Sequence, residues 1–475
     1  MQLTPQQHDR IVGVCLASAA GDGLGVPYEF GQRLLVGEPE QVGGGLGDLA
    51  PGQWSDDTEM ACVIAEVAAT GADLRTTAAL DAIAAGFLRW YGDNPPDIGV
   101  QTRQVLGATG AGSGPAARMT AVAQRLHEQT GRTAGNGSLM RTGPVALAHL
   151  GDPEAIVDAA RSVSALTHAD PLAGDACALW CVAIDHAIWT GQLDLRDGLR
   201  YVDPSWAALV EQAERGEPAS FANNGWVVSA LQASWAALTR TDNLRDALIA
   251  AVRAGNDTDT VAAITGALAG ARYGASTVPF AWRRHLHGWP GLRARDLTRL
   301  ALLAAQPGPP DLTQWPAAPR MTSYGGSSTT TVPHPDDPGV LLGAVGALRP
   351  GVADAVVSLC RLGSEEAPVT VDPSDHVEVW IVDKEDSNND LARALTDAAG
   401  TVQALRAERK TVFLHCVHAK TRTPVVAAAY GALITGTSTG DALQRVLAVL
   451  PSARPRRSIR AALDKLELVK PAAAD

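Results

Sequence analysis

Residues 53–58 read Gln-Trp-Ser-Asp-Asp-Thr, and residues 255–260 read Gly-Asn-Asp-Thr-Asp-Thr. Each stretch places hydroxyl groups and two carboxylates within one turn, just before a run of Ala, Val and Ile with helical spacing. Taken singly, either turn could be a helix N-cap. Carboxylates this close repel one another and are unfavourable in an apolar setting unless a cation neutralises them. Two such turns face to face offer the oxygen ligands that Mg²⁺, Mn²⁺ and Ca²⁺ prefer, so the pair predicts a split metal site for two ions.

Composition limits the class of protein. The chain has 475 residues, 46% of them hydrophobic and 19% charged, which is enough apolar material for about two to three globular domains. The net charge of −12 argues against a nucleic-acid partner and against an anionic membrane surface. The six cysteines have no CxxC spacing, so we expect neither a zinc ribbon nor a disulfide framework, and predict a reducing cytoplasmic location.

Two kinds of periodicity divide the chain. From residue 1 to 306, apolar residues recur at three- and four-residue spacing, which predicts an all-α domain of about ten or more helices. Residues 307–338 are rich in Pro, Gly, Ser and Thr without an apolar period, and are predicted to be a linker.

After the linker, short strand-like runs alternate with helical ones. The predicted strands are 354–360, 377–382 and 411–415, and the predicted helices are 391–408 and 424–434. This alternation predicts a small α/β domain over 339–470 with a mainly parallel sheet, followed by a tail at 471–475.

Three further stretches of the helical domain are unusually polar or rich in glycine. Residues 21–29 form a glycine-rich turn that ends in a carboxylate. Residues 135–141 (Gly-Asn-Gly-Ser-Leu-Met-Arg) offer backbone amides for a phosphate or pyrophosphate, and residues 167–170 (Thr-His-Ala-Asp) precede another helix. Each alone is compatible with an ordinary cap or turn. In order and together with the two acidic turns, they resemble the ADP-ribosylglycohydrolase family over about the first three hundred residues.

This resemblance implies an all-α fold with a binuclear Mg²⁺ centre in a cleft, Mn²⁺ being possible. The metal ligands it implies are Ser55, Asp56, Asp57, Asp257, Asp259 and Thr260. It places Glu29 near the scissile bond, and the ADP-ribose-binding loops at Gly135, Asn136, Gly137, Ser138 and His168. Asn256 departs from the family pattern beside the second turn, and we expect this small polar change to leave the metals in place. The implied reaction is hydrolysis of the glycosidic bond at the distal ribose of an ADP-ribosylated protein or an ADP-ribose-containing small molecule.

Residues 412–424 read Val-Phe-Leu-His-Cys-Val-His-Ala-Lys-Thr-Arg-Thr-Pro and run from an apolar strand through a polar loop into a helix. Loop amides and a helix N-terminus can hold a cysteine there as a thiolate, and an arginine six residues later can bind phosphate oxygens. His-Cys, five residues, Arg resembles the signature loop of the dual-specificity cysteine phosphatases, over about residues 339–470.

By that resemblance Cys416 is the nucleophile, Arg422 binds the phosphate and Thr423 assists breakdown of the phosphocysteine. The general acid is expected about thirty residues upstream, where Asp383 is preferred and Asp386 is also in range. Ala419 stands where the family commonly has glycine, so a domain that binds a phosphorylated substrate without turning it over remains an alternative.

Three hypotheses follow. The first is a bifunctional enzyme, a Mg²⁺-dependent ADP-ribosyl hydrolase joined to a cysteine phosphatase, with a phosphorylated ADP-ribose as one attractive substrate. The second is a glycohydrolase with a non-catalytic phosphate-binding module. The third, a non-enzymatic relative, predicts missing ligands, whereas all six ligand positions are filled. The sequence leaves open the acceptor linkage, the choice of Mg²⁺ or Mn²⁺ and the oligomeric state.

Overall fold

A computed structural model describes residues 3–306, 308–309, 311–321 and 326–466. Contacts between residues divide these into two units. The first, here called the helical unit, comprises Arg10–Val278 and His285–Pro310. The second, here called the sheet unit, comprises the described parts of Met1–Asp9, Pro279–Arg284 and Asp311–Asp475.

Helices form most of the helical unit, as the apolar periodicity predicted. They are α1 (Pro5–Gly25), α2 (Asp56–Ala68), α3 (Thr77–Gly92), α4 (Val100–Ala108), α5 (Pro115–Thr130), α6 (Gly143–Ala148), α7 (Pro153–Ala165), α8 (Pro171–Thr190), α9 (Trp206–Arg215), α10 (Val227–Thr239), α11 (Leu244–Val252), α12 (Thr258–Tyr273) and, after the short α13 (Phe280–Arg283) of the sheet unit, α14 (Ala294–Ala304). Strands β1 (His287–Gly288) and β2 (Leu292–Arg293) add a small antiparallel pair.

Glycines let α1 and α12 pack with their backbones in contact. A Cβ atom on Gly270 would lie 2.0 Å from the carbonyl oxygen of Gly13, and one on Gly13 would lie 2.2 Å from that of Gly270. At the far end of α1, a Cβ on Gly25 would lie 2.4 Å from the Cα atom of Asp259. This crossing places the end of α1 directly against the second acidic turn, at the start of α12.

Two stretches are long and apolar enough to cross a membrane by length and composition alone, Pro5–Gly31 and α8. The whole apolar window of the first and 72% of that of the second are buried inside the fold. They therefore lie here as core helices.

The sheet unit contains a five-stranded sheet in the order β3-β4-β7-β5-β6. Its strands are β3 (Thr331–His334), β4 (Asp337–Ala344), β5 (Ala355–Ser358), β6 (His376–Glu378) and β7 (Val412–Cys416). β3 pairs antiparallel with β4, while β4 with β7, β7 with β5 and β5 with β6 are all parallel. The predicted mainly parallel sheet is confirmed, although β5 and β6 are shorter than expected.

Helices α15 (Leu391–Ala407), α16 (Arg422–Thr435), α17 (Thr439–Val449) and α18 (Arg457–Leu463) complete this unit. Side chains of β7 alternate between two buried faces, with Leu414 packing into a large cluster that includes α15 and α16 and Phe413 into a smaller one on the other face. Burial on both sides explains the nearly continuous apolar run of this strand.

The predicted linker at 307–338 needs a correction. β3 lies inside it, and β4 begins at Asp337 rather than after it. Polar, proline-containing residues form β3 because β4 supplies its partners, with Val332 opposite Leu342, so the signal is tertiary pairing rather than an apolar period. Residues 307, 310 and 322–325, and the predicted tail 471–475, lie outside the described residues.

Candidate functional site

The buried carboxylate of Asp22, near the end of α1, holds the first acidic turn. Its Oδ1 atom accepts hydrogen bonds from the backbone nitrogen and the hydroxyl of Ser55, both at 2.9 Å. Its Oδ2 atom accepts from the backbone nitrogen of Thr58 at 3.1 Å and from the Thr58 hydroxyl at 2.6 Å. Both oxygens are therefore already engaged by donors, which makes Asp22 a positioning residue for the turn.

The second acidic turn is held by two asparagines. Asn136 donates from Nδ2 to Oδ2 of Asp257 at 2.8 Å. Asn224 accepts from the backbone nitrogen of Asp257 at 3.1 Å and donates to the carbonyl oxygen of Gly255 at 2.8 Å. Asn256 takes the left-handed conformation, with φ of 59°, which asparagine tolerates better than most residues. The departure at Asn256 therefore serves the bend of this turn.

The two turns meet at Asp57. Its Oδ2 atom lies 3.0 Å from the hydroxyl of Ser55, whose one hydrogen is shared with Asp22, and accepts from the hydroxyl of Thr260 in the second turn at 3.3 Å. Carboxylate oxygens of Asp22, Asp57 and Asp259 lie within 4.8 Å of one another, and so do those of Glu29, Asp257 and Asp259. Asp259 belongs to both groups, so the geometry contains two adjacent clusters of oxygen ligands that share one residue.

Burial makes these clusters electrostatically unfavourable by themselves. It raises the pKa values of Asp56, Asp57 and Asp259 well above the usual range, and neighbouring carboxylates raise them further. Burial together with the Asp97 and Asp257 charges raises the pKa of Glu29 to about 9. The Oδ1 atom of Asp57 is buried and has no hydrogen-bond partner in the part of the chain that the structure describes. Divalent cations bound to these oxygens would neutralise the repulsion and satisfy that atom, so the residues fit a metal centre.

Asp56 occupies a different place from the other predicted ligands. Its Oδ2 atom accepts from the backbone nitrogen of Gly99 at 3.1 Å. The charge of Asp97, two residues earlier, raises the pKa values of both Asp56 and Glu29. Asp97 is therefore a further acidic residue of the site, and as a single aspartate in a loop it has no sequence signal of its own.

The glycine loop is only partly available for a ligand. The backbone nitrogen of Asn136 donates to the carbonyl oxygen of Gly225 at 3.1 Å, and the Ser138 hydroxyl accepts from Ser164 at 2.9 Å inside the fold. The expectation of free backbone amides is thus wrong for Asn136, because the loop uses that donor to bind the neighbouring segment. Cβ atoms on Gly135 and Gly137 would lie 3.4 and 3.3 Å from Nε2 of His168, so the predicted histidine does lie against this loop.

In the sheet unit, the loop between Cys416 and Arg422 connects β7 to α16. Arg422 donates from Nη1 to the carbonyl oxygens of Leu359 and Ile381, at 2.8 and 3.0 Å. Within the described residues, its Nε atom and the hydroxyl of Thr423 are buried without hydrogen-bond partners. These two polar groups lie at the start of α16, six and seven residues after Cys416.

Two sequence expectations concern this loop, namely the bend at Ala419 and the choice of a general acid. Ala419 takes φ of 54°, so the bend that favours glycine is present with a Cβ on it. Asp383 accepts from the hydroxyl of Thr421 at 2.6 Å and pairs with Arg456 at 3.0 Å. Asp386 makes a hydrogen bond through its backbone, where its carbonyl oxygen accepts from the Gln6 side chain. The carboxylate observed against the loop is thus that of the preferred candidate, Asp383.

Comparison with known proteins identifies the family. A family model described as ADP-ribosylglycohydrolase matches residues 3–310. The ADP-ribosyl-[dinitrogen reductase] glycohydrolase of Rhodospirillum rubrum is 30% identical over 293 residues, which are 58% of this chain and 90% of that protein. The ADP-ribosylarginine hydrolase Tri1 of Pseudomonas putida (strain GB-1) is 31% identical over 303 residues, 60% of this chain and 78% of that protein.

For the sheet unit, the crystal structure of human DUSP28 is 22% identical and covers 29% of this chain and 95% of that chain, with a TM-score of 0.24. A TM-score this low supports no conclusion about the unit. The match to the family model spans more than half of the sequence and contains both acidic turns. The chain belongs to the ADP-ribosylglycohydrolase family.

Proposed function

We propose that the helical unit hydrolyses the N-glycosidic bond between ADP-ribose and an arginine side chain, with Mg²⁺ as its cofactor. The observation that carries this proposal is the pair of carboxylate clusters that share Asp259. Two relatives are named for ADP-ribosyl-[dinitrogen reductase] and ADP-ribosylarginine hydrolysis, which supports a protein-linked substrate and an arginine acceptor.

The ligand set proposed for the cations is the one the sequence predicted, Ser55, Asp56, Asp57, Asp257, Asp259 and Thr260. Hard oxygen ligands suit Mg²⁺ and Mn²⁺ alike. Two bound ions would orient the ribose hydroxyls and lower the pKa of a bound water. Asp22 and Glu29 belong to the two carboxylate clusters but not to this ligand set. The oxygens of Asp22 already accept from four donors, so it is proposed to hold the first acidic turn, and Glu29 is assigned to the reacting bond.

Glu29 and Asp97 are proposed to act on the arginine side of the N-glycosidic bond. Hydrolysis joins a water oxygen to the anomeric carbon, breaks the bond from that carbon to nitrogen, and returns a proton to the guanidine, which leaves as a cation. The raised pKa of Glu29 suits a carboxyl that moves this proton. A guanidinium is a strong partner for a neighbouring carboxylate, so Asp97 favours arginine over a neutral serine acceptor.

A panel of substrates tests the acceptor. Peptides carrying ADP-ribose on arginine or on serine are incubated with Mg²⁺ and the protein, and free ADP-ribose is measured. We expect release from the arginine-linked peptide and a loss of this preference in Asp97→Asn. Equal release from both peptides by the unaltered protein would reject the arginine assignment while leaving the hydrolase assignment intact.

We further propose that the sheet unit is a cysteine-dependent phosphatase. The supporting observation is that, within the part of the chain that the structure describes, the Nε atom of Arg422 and the Thr423 hydroxyl are buried without hydrogen-bond partners at the start of the helix that follows the Cys416 loop. In the proposed step the Cys416 sulfur forms a bond to phosphorus as the ester oxygen leaves with a proton from Asp383. Water then cleaves the phosphocysteine and releases phosphate.

Turnover of an aryl phosphate tests this second activity. We expect Cys416→Ser to abolish it, whereas Cys360→Ala, a change at another buried cysteine of the same unit, should leave most of it. Turnover that survives Cys416→Ser would reject the mechanism. Binding of phosphate by the unaltered protein with no turnover would favour the phosphate-binding module. The cytoplasmic location stays a prediction.

A further inference from the structure

A hydrogen-bond chain inside the helical unit leads from Arg141 to His168. Arg141 is fully buried and donates from Nη2 to the hydroxyl of Thr167 at 2.7 Å. The same hydroxyl lies 2.7 Å from Nδ1 of His168. This hydrogen-bond chain thus has three members, and the Thr167 hydroxyl connects Arg141 to His168.

The direction of each proton in this chain is fixed by the groups themselves. A guanidinium carries donors and no acceptor, so Arg141 always gives a hydrogen to the Thr167 oxygen. The hydroxyl has one hydrogen of its own, and within the described residues its one available acceptor is Nδ1 of His168. Nδ1 therefore accepts, and in a neutral imidazole the proton must then be on Nε2.

The surroundings keep the ring neutral. Burial and the Arg141 charge lower the pKa of His168 to about 3, so it does not take a second proton near neutral pH. Its side chain is 3% exposed, and Nε2 lies against Gly135 and Gly137, close enough that Cβ atoms there would be at 3.4 and 3.3 Å. The protonated nitrogen therefore faces the loop predicted to bind ADP-ribose.

Arg141 is itself held in an unusual setting. Its guanidinium stacks over the ring of Phe87 at 4.5 Å, and Nη1 approaches the sulfur of Met60 at 3.3 Å. Among the described residues no carboxylate forms an ion pair with it, and its Nε atom has no partner. A buried cation without an ion pair is costly, and the oxygen to which this guanidinium donates is the hydroxyl of Thr167.

We propose that Arg141 and Thr167 are positioning residues that hold His168 as the Nε2–H tautomer, so that it donates a hydrogen bond to an oxygen of the ADP-ribose bound at the Gly135–Gly137 loop. The site of this hydrogen bond rests on the proposed function, whereas the tautomer does not. A ligand that offers an oxygen acceptor at this position is favoured, and one that offers a donor is rejected.

Nuclear magnetic resonance of protein labelled with ¹⁵N at histidine tests the tautomer without any turnover. His168→Gln identifies the His168 signals by their disappearance. We expect the unaltered protein and Thr167→Ser, which keeps the hydroxyl, to show a protonated Nε2 and a bare Nδ1. Thr167→Val, which has nearly the same shape and no hydroxyl, should show exchange between tautomers. A protonated Nδ1 in the unaltered protein would overturn the proposal, whatever the other variants do.

Binding of ADP-ribose, measured by calorimetry in the presence of Mg²⁺, tests the contact. Glutamine can place an amide hydrogen near the position of Nε2, whereas asparagine is too short. We expect His168→Gln and Thr167→Ser to bind within about threefold of the unaltered protein, and His168→Asn and Thr167→Val to bind roughly three- to tenfold more weakly. Equal affinities throughout would remove His168 from the ligand contacts. The expected tautomer with no ADP-ribose binding at all would instead count against the proposed function.

Discussion

Asp22 accepts hydrogen bonds from both the backbone nitrogen and the hydroxyl of Ser55, each at 2.9 Å. Asp22 lies near the end of α1, and the same helix touches the start of α12 at Gly25. One helix therefore supports both acidic turns, the first through a carboxylate and the second through a glycine. This arrangement explains how segments far apart in the sequence form one cluster of ligands.

The first prediction concerns this support. Asp22→Asn replaces an oxygen that faces donors by an amide that is itself a donor, and removes one negative charge. Both effects should weaken binding of Mn²⁺ by at least about tenfold, in line with other changes to groups that hold metal ligands. Calorimetric titration measures the affinity. Asp242→Asn, an exposed change of the same chemistry, should leave it unaltered, and an unaltered affinity in Asp22→Asn would contradict the positioning role.

The crossing of α1 and α12 gives the second prediction. Gly270→Ala would put a Cβ atom 2.0 Å from the backbone of Gly13, so the helices must move apart. We expect the free energy of unfolding to fall by about 3 kcal/mol, in the upper range for overpacked cores. Denaturation in urea measures it. Gly400→Ala, in α15 with open space around it, should instead stabilise by up to about 1 kcal/mol. Similar values for the two variants would contradict the close crossing.

The third prediction is the pH dependence of the metal-free protein. Burial raises the pKa of Asp22 to about 6, of Glu59 to about 7 and of Glu29 to about 9. In the unfolded chain these groups ionise near pH 4. Their contribution to stability is therefore complete below about pH 4 and is lost as the pH rises towards 9.

With a chelator present, we expect the melting temperature to fall between pH 5 and pH 9. A loss on the order of 2 kcal/mol corresponds to roughly 4–8 °C. Glu29→Gln should flatten the upper part of this slope, and saturating Mg²⁺ should reduce the slope because cations bound nearby favour the ionised forms of Asp22 and Glu29. A melting temperature that stays level in the chelator would show that the carboxyl cluster is not destabilising.

The fourth prediction concerns Ala419, whose φ of 54° is unfavourable for a residue with a Cβ. Ala419→Gly should raise the free energy of unfolding of the sheet unit by about 0.5–1 kcal/mol, since the relief of strain exceeds the entropy that glycine gains in the unfolded chain. Chemical denaturation measures the change. Ala428→Gly, in the middle of α16, should lower it by about 1 kcal/mol. A destabilised Ala419→Gly variant would mean that packing of the Cβ outweighs the strain.

Much of the fold could be predicted because its signals are local. The helical run predicted at 391–408, for instance, is observed as α15 at Leu391–Ala407. The two acidic turns were recognisable because each concentrates several oxygen ligands in one short stretch, as at Asp56 and Asp57. Such concentrations are visible without knowing which segments meet.

The features that the sequence did not reveal depend on contacts between distant segments. Asp22 and Asp97 are single aspartates, and only the packing of α1 and the loop before α4 brings them to the cluster. Strand β3 forms because β4 is beside it. The side chain of Ser138 is buried in the core, where its hydroxyl accepts a hydrogen bond from Ser164. None of these relationships has a local pattern.

The most direct test of the account is the release of free ADP-ribose from an ADP-ribosylarginine peptide, with Mg²⁺ or with a chelator. We predict release in Mg²⁺ that falls to background in the chelator and in Asp257→Ala, and that is unaffected in Asp242→Asn. The assignment of the acidic clusters as a catalytic metal centre would be contradicted by two results together. The unaltered protein would still release ADP-ribose in the chelator, and Asp257→Ala would release it as well.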